Sequence, residues 1–145
     1  HSNGFSLVRK VFGEKELKTH AKELLRPTRL YSKSVLALKD KVNIKGIANI
    51  TGGAFYDKIK RIIPKGMAIE IDKYSWRIPP IFLLIKEKGN IDDREMYRTF
   101  NMGIGMVVVI SKRDVDKSMK ILLTHGIRAH VIGHVVRGNR EVTIL

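Results

Sequence analysis

The sequence predicts an α+β domain in which helices pack on a mixed β-sheet of about five strands. Three stretches carry that prediction. Met106 to Ile110 is an unbroken, mostly β-branched apolar run of strand length, the pattern of a strand buried on both faces and hence of a central strand. In Ile44 to Thr51, Ile44, Gly46, Ala48 and Ile50 alternate with Lys45, Ile47 and Asn49, which marks a second strand. Val115, Met119 and Leu122 recur at helical spacing between the capping pair Ser111 and Asp114 and a terminating Gly126.

The remaining elements follow in order. Phe5, Leu7, Val8, Val11 and Phe12 form an apolar set at helical spacing, so a helix begins at about Gly4 and ends at Gly13. Glu14 to Leu25 reads as a more polar helix stopping before Arg26-Pro27. Thr28 can cap a third helix, with Tyr31, Val35, Leu38 and Val42 along one face. Phe55, Ile59, Ile62 and Ile63 are again helical, and Pro64-Lys65-Gly66 then breaks the chain. Met67, Ile69 and Ile71, alternating with Ala68, Glu70 and Asp72, predict a half-buried strand. Trp76 falls in a loop, and Pro79-Pro80 open a helix that turns Ile81, Phe82, Leu84 and Ile85 to the core before Gly89. Asp92 and Glu95 have the spacing of a capping box for a short helix with Met96 and Phe100 inward. Ala129 to Val136 and Glu141 to Ile144 predict two strands joined through Arg137-Gly138-Asn139-Arg140 as a hairpin.

At 145 residues the chain has the length of one domain, residues 1–145, large enough for a substantial core. There is no cysteine, which excludes disulfides and thiolate metal sites and fits a reducing compartment, so the cytoplasm is the expected location. The apolar runs Ile78 to Ile85 and Met102 to Ile110 are far shorter than the roughly 20 residues of a spanning helix, and no signal-peptide pattern opens the chain, so a soluble domain is expected. The net charge of +14 is uneven: 15 basic against 5 acidic residues up to Lys65, then 13 against 9. That balance favours an anionic partner, either nucleic acid, an acidic surface or a phosphorylated small molecule. No aromatic-basic interleaving of the kind that stacks bases accompanies it.

Three loops are candidate ligand surfaces. In His1-Ser2-Asn3-Gly4, hydroxyl and amide side chains and a glycine precede a helix start whose free amides suit an anion; Ser2 or Asn3 serves equally well as a simple cap. Thr51-Gly52-Gly53 joins a strand to a helix, the general geometry of a phosphate cradle and equally of an ordinary turn; no Gly-Lys-Ser or Gly-Lys-Thr of a Walker motif is present. Asn101, Gly103 and Gly105 lie in the turn that feeds the apolar strand, where glycines permit positive φ or close backbone approach. His130 and His134 fall four apart with no carboxylate or cysteine cluster beside them, so no metal site is assigned. No Ser, His and Asp set announces nucleophilic catalysis, and no catalytic residue is assigned.

Together, His1-Ser2-Asn3-Gly4-Phe5-Ser6-Leu7-Val8-Arg9, Ile50-Thr51-Gly52-Gly53 and the run from Glu95 to Met106 closely resemble the C-terminal domain of the phosphoribosylformylglycinamidine cyclo-ligase (aminoimidazole ribonucleotide synthetase) family. Leu25, Pro27-Thr28-Arg29, Ser75-Trp76 and Pro79-Pro80 match the same pattern, so the likeness covers essentially the whole chain. The resemblance implies the substrate-facing half of a two-domain, homodimeric enzyme of purine biosynthesis that uses ATP and magnesium (Mg2+) to close formylglycinamidine ribonucleotide into the aminoimidazole ring. It further implies that an N-terminal domain outside this sequence supplies the acidic residues for Mg2+ and most ATP contacts, and that His1, Ser2, Asn3, Gly4, Thr51, Gly52, Gly53, Asn101, Gly103 and Gly105 surround the ribonucleotide phosphate and the reacting end. Two positions depart from the family pattern: Asn49 stands where histidine is usual and Ala54 where a third glycine is usual. An amide does not titrate, so no proton-transfer role passes to Asn49. The alternatives are a sibling of the same superfamily that phosphorylates another small molecule with ATP, or a basic nucleic-acid-binding module.

Overall fold

The computed structural model describes His1 and residues 3–145, an α+β arrangement of eight helices and five strands. The helices are α1 (Phe5–Val11), α2 (Glu14–Thr19), α3 (Ala21–Leu24), α4 (Ser32–Lys39), α5 (Ala54–Lys60), α6 (Pro80–Gly89), α7 (Asp93–Thr99) and α8 (Val115–Thr124). The strands are β1 (Gly46–Asn49), β2 (Met67–Ile71), β3 (Met106–Val109), β4 (Gly133–Arg137) and β5 (Val142–Ile144).

The strands form two sheets rather than one. β1 pairs antiparallel with β3, Gly46 opposite Val109 and Asn49 opposite Met106. The other sheet has the order β4-β2-β5, antiparallel on one side of β2 and parallel on the other. The central strand is therefore β2, and β3, expected to be central, has a single neighbour and is half-buried along its length. An apolar run shows that a strand can be buried; coverage from both sides decides whether it is. β2 illustrates the converse. Ala68, expected to face outward, is buried beneath the Gly138 turn, whereas Met67 at the strand's start is exposed.

The stretch Arg137-Gly138-Asn139-Arg140 is not a hairpin, because β4 and β5 lie on opposite sides of β2. It crosses the start of β2 instead. Gly138 N–H donates to Gly66 O, Arg140 N–H to Met67 O, and the Arg140 guanidinium to Ile63 O at 3.0 Å. His130 precedes β4, so it shares no strand with His134, whose Nε2 lies 3.3 Å from Glu70.

Helix ends differ from expectation where a side chain found a better partner. Gly13 does not terminate α1; it is the N-cap of α2, its N–H bonded to the Glu16 carboxylate at 3.0 Å. Glu14 to Leu25 breaks at His20 into α2 and α3. Thr28 caps nothing, since α4 starts at Ser32 after Tyr31, whose carbonyl accepts from Ser34 Oγ. Ser111 makes no side-chain cap, and a 3-10 turn, Lys112–Asp114, leads into α8. Asp92 does cap α7, accepting from Glu95 N–H at 2.8 Å, while Glu95 turns to Thr99 instead of back to the cap.

The main core gathers Val8 and Phe12 of the first helical turn region, Ala48 and Ile50, Phe55 and Ile59 of α5, Ile69 and Ile71 of β2, Ile85, and Met96, Tyr97 and Phe100 around α7. At its centre Phe55 stacks on Trp76 at 6.0 Å, and the edge of Tyr97 meets both rings. Edge-to-face and offset packing of this kind holds aromatic rings in one orientation. Trp76 Nε1 then donates to Met102 O at 2.9 Å, tying this aromatic centre to the turn before β3. Among the described residues no helix is long and apolar enough to cross a membrane.

Candidate functional site

The β1–β3 register brings the two glycine-bearing loops together. Ile50 N–H donates to Gly105 O at 2.9 Å, one step beyond the Asn49–Met106 pair, so the chain leaves β1 into Thr51-Gly52-Gly53 where the other chain segment enters β3 from Asn101–Gly105.

The Asn101–Gly105 turn is built around one amide side chain. Asn101 is buried at 7% exposure; its backbone carbonyl accepts from Ile104 N–H at 2.8 Å and its Oδ1 from Gly103 N–H at 3.0 Å. Met102 and Gly103 both have positive φ, 49° and 98°. Glycine takes that conformation freely and methionine at some cost; Trp76 offsets the cost by bonding the Met102 carbonyl.

The N-terminal segment closes onto this turn. Asn3 Nδ2 donates to Thr99 O, Gly4 lies against the Phe100 ring, and His1 Nδ1 lies 2.8 Å from Asn101 Nδ2. Because Gly103 N–H holds Oδ1 of Asn101, the amide's NH2 faces His1, and Nδ1 must accept. A neutral His1 then carries its proton on Nε2 and donates it to the Tyr31 hydroxyl, 3.0 Å away, under a ring stacked within 3° of parallel. Tyr31 then keeps its own hydroxyl proton as a donor. Burial raises the Tyr31 phenol above its ordinary value despite the opposing charge of Arg29, so it stays protonated at neutral pH. Tyr31 was legible in the sequence only as one member of a helical face; its role beside His1 arises because α4 starts one residue later.

A side chain added at each candidate glycine separates packing from access. At Gly4 it would strike Phe100, at Gly53 the Asp57 side chain, at Gly103 Pro79 at 2.6 Å, and at Gly105 both His1 and Tyr31. At Gly52 it would meet nothing within 4 Å. At Gly103, expected to border a ligand path, a side chain is excluded by Pro79 and by the residue's own φ. Gly52 is the candidate glycine whose backbone stands open. Thr51 accepts Ala54 N–H at 2.6 Å and closes the same turn. Gly53 caps α5 with φ of 79°, and the following Ala54 has φ of 38°, a left-handed conformation at the position where the family pattern has glycine. Asn49 is exposed at the end of β1. Ser2 lies outside the described residues. His1, Asn3, Gly4, Asn101 and Gly105 thus form one cluster, and Thr51-Gly52-Gly53 shares its end of the ribbon, with Gly103 turned toward Pro79.

The family model of the AIR synthase related protein C-terminal domain matches residues 1–145. A phosphoribosylformylglycinamidine cyclo-ligase of Caldicellulosiruptor bescii is 49% identical over 156 residues, covering 99% of this chain and 46% of the relative. One from Thermoanaerobacter sp. (strain X514) is 51% identical over 155 residues, again covering 99% and 46%. The chain therefore spans less than half the length of these curated relatives. Among solved structures, the hydrogenase maturation protein HypE of E. coli superposes with a TM-score of 0.62 at 19% identity, over 87% of this chain and 40% of that one, a likeness of fold.

Proposed function

The chain belongs to the AIR synthase related family as a C-terminal domain, and from that premise we propose that it is the substrate-facing part of an ATP-dependent cyclo-ligase of purine biosynthesis. The longer enzyme would close formylglycinamidine ribonucleotide to aminoimidazole ribonucleotide, as a cytoplasmic homodimer. The observation that carries this reading is that near-50% identity to proteins of that name extends over almost the whole chain, including the loops that meet at the end of the β1–β3 ribbon.

ATP would supply the phosphoryl group that turns an amide-type oxygen into a leaving group. Among the described residues no three His, Asp or Glu side chains converge as a metal site. This chain's part is binding and orientation. The open backbone at Gly52 would lie against the substrate, with the amides at the start of α1 and the Tyr31 hydroxyl as further donors toward a phosphate or sugar oxygen. Asn101 and His1 would act by holding Tyr31 in place. A rigid set of this kind gives orientation without reorganisation on binding.

Gly52→Val, made in the full-length enzyme, tests the reading. Nothing lies within 4 Å of the added Cβ, so stability should stay within about 0.5 kcal/mol of the parent. ATP-dependent ring closure should fall at least tenfold in kcat/KM, about 1.4 kcal/mol of transition-state stabilisation. Near-normal ring closure would remove Gly52 and its loop from the site.

A further inference from the structure

Between α3 and α4 the chain stands off the body of the domain. All six residues from 25 to 30 are exposed, the longest such run among the described residues. Leu30 is 87% exposed, more than any other large apolar side chain described, and Leu25 is 71% exposed. Among the described residues no backbone group of residues 27–30 is hydrogen-bonded. A single exposed leucine needs no explanation. A connection that only spans two helices is ordinarily built from polar turn residues, however, and this one places two leucines in water beside a backbone with no partner.

The segment is nevertheless held at both ends. Leu24 packs on the main core, and Tyr31 stacks on His1 with its hydroxyl 3.0 Å from Nε2. Pro27 fixes one φ between these anchors. A strap pinned in this way has little conformational freedom left to lose when something docks on it. Its position says what docks. The matched family model is a C-terminal domain, and this chain covers 46% of a cyclo-ligase relative. In the longer enzyme of the preceding reading, on which this step rests, the upstream part joins at His1, against the ring that ends the strap. The strap's charge fits an acidic neighbour: Arg26 is paired with Glu23, and the exposed Arg29 makes no ion pair among the described residues.

We infer that residues 25–30 are the surface on which the upstream part of the same polypeptide docks, covering Leu25 and Leu30 with apolar side chains and meeting Arg29 with a carboxylate. Because the strap ends on Tyr31, this contact brings the upstream part to the edge of the cluster formed by His1 and Asn101.

Hydroxyl-radical footprinting of the full-length enzyme tests the coverage. Within the domain both leucines are more exposed than Leu145, at 57%, so as free surface they would be oxidised faster. Covered, each should react at least fivefold more slowly than Leu145. Placing p-benzoylphenylalanine at position 30 of the full-length enzyme then identifies the occupant. Irradiation should join that position to a peptide upstream of His1, in a product that migrates as a single chain on a denaturing gel. Footprinting uses the unsubstituted enzyme and decides coverage even if the photoreactive variant misfolds. Oxidation of Leu25 and Leu30 at the rate of Leu145 or faster, or a cross-link confined to residues 1–145, overturns the proposal. A product of doubled mass also overturns it, by assigning the strap to a contact between copies. Neither measurement reads ring closure, so failure here leaves the cyclo-ligase reading intact, and failure of that reading in Gly52→Val leaves this test unaffected.

Discussion

β2 and β3 are short strands of similar length with opposite relations between sequence and burial. β3 reads as Met-Val-Val-Val, apolar throughout, and is only half-buried. β2 contains Glu70, yet it buries Ala68, Ile69 and Ile71 almost completely. The difference lies in their neighbours. β2 is bonded on both edges, by β4 and β5, and packs on the aromatic centre of the core, whereas β3 has β1 alone. Burial is a property of the surroundings a strand acquires, and the hydrophobic term rewards only area actually removed from water.

Placing the same charge in each strand is the strongest way to break that comparison. Ile71→Asp puts a carboxylate at a site 1% exposed and should cost about 4 kcal/mol or more, read as loss of the folded baseline in urea denaturation. Val108→Asp, opposite Ile47 in the ribbon, should cost only about 1 to 2 kcal/mol, because its carboxylate can reach water. Equal costs would mean that β3 is covered as fully as β2.

A second contrast, between a glycine loop held by side chains and one left open, is sharpened by Asn101→Ala. That change removes the acceptor for Gly103 N–H and the donor to His1, and should lower stability by about 1 to 3 kcal/mol. The thermal midpoint should drop correspondingly, where Gly52→Val leaves it in place. A midpoint unchanged in Asn101→Ala would show that the turn is held by Trp76 and Pro79 alone.

The smallest expected effect concerns the charged rim of α7. Lys86 first, and then Lys73, hold the Asp93 carboxyl below its ordinary value of 3.8. The depressed value means the folded state prefers the ionised form. Its contribution is complete above the ordinary value and is lost as pH falls through the lower folded one. The pair is half-exposed, so the contribution is about 0.5 kcal/mol. Stability of Asp93→Asn should trail the parent by that amount at neutral pH and match it once the pH has fallen through the lowered folded-state value. A gap that persists in acid would assign the difference to packing.

The candidate site was partly legible for a specific reason. His1, Asn3, Gly4, Asn101 and Gly105 are residue types that make close backbone approaches and local hydrogen bonds, and the structure does bring them into one cluster. Their individual tasks were not legible. Whether a glycine clears space for a ligand or for Pro79 depends on a residue 24 positions away, and nothing in the spacing encodes that. Tyr31 was hidden similarly, since it looks like an ordinary apolar helix residue until its hydroxyl is located.

Local chemistry by itself determined which stretches became helix or strand: the period of Ile44 to Thr51, the Asp92 cap of α7, Pro79-Pro80 at the start of α6 and Gly126 after α8 all act within a few residues. Helix breaks at His20 and the late start of α4 escaped it, because local alternatives there differ by only about 1 kcal/mol. Tertiary structure alone decided that the strands divide into two sheets, that β4 and β5 flank β2 instead of pairing with each other, and that Gly52 stands open while Gly103 is packed. Those outcomes depend on contacts between residues far apart in the chain, whose free energy exists only once the remaining surfaces have come together.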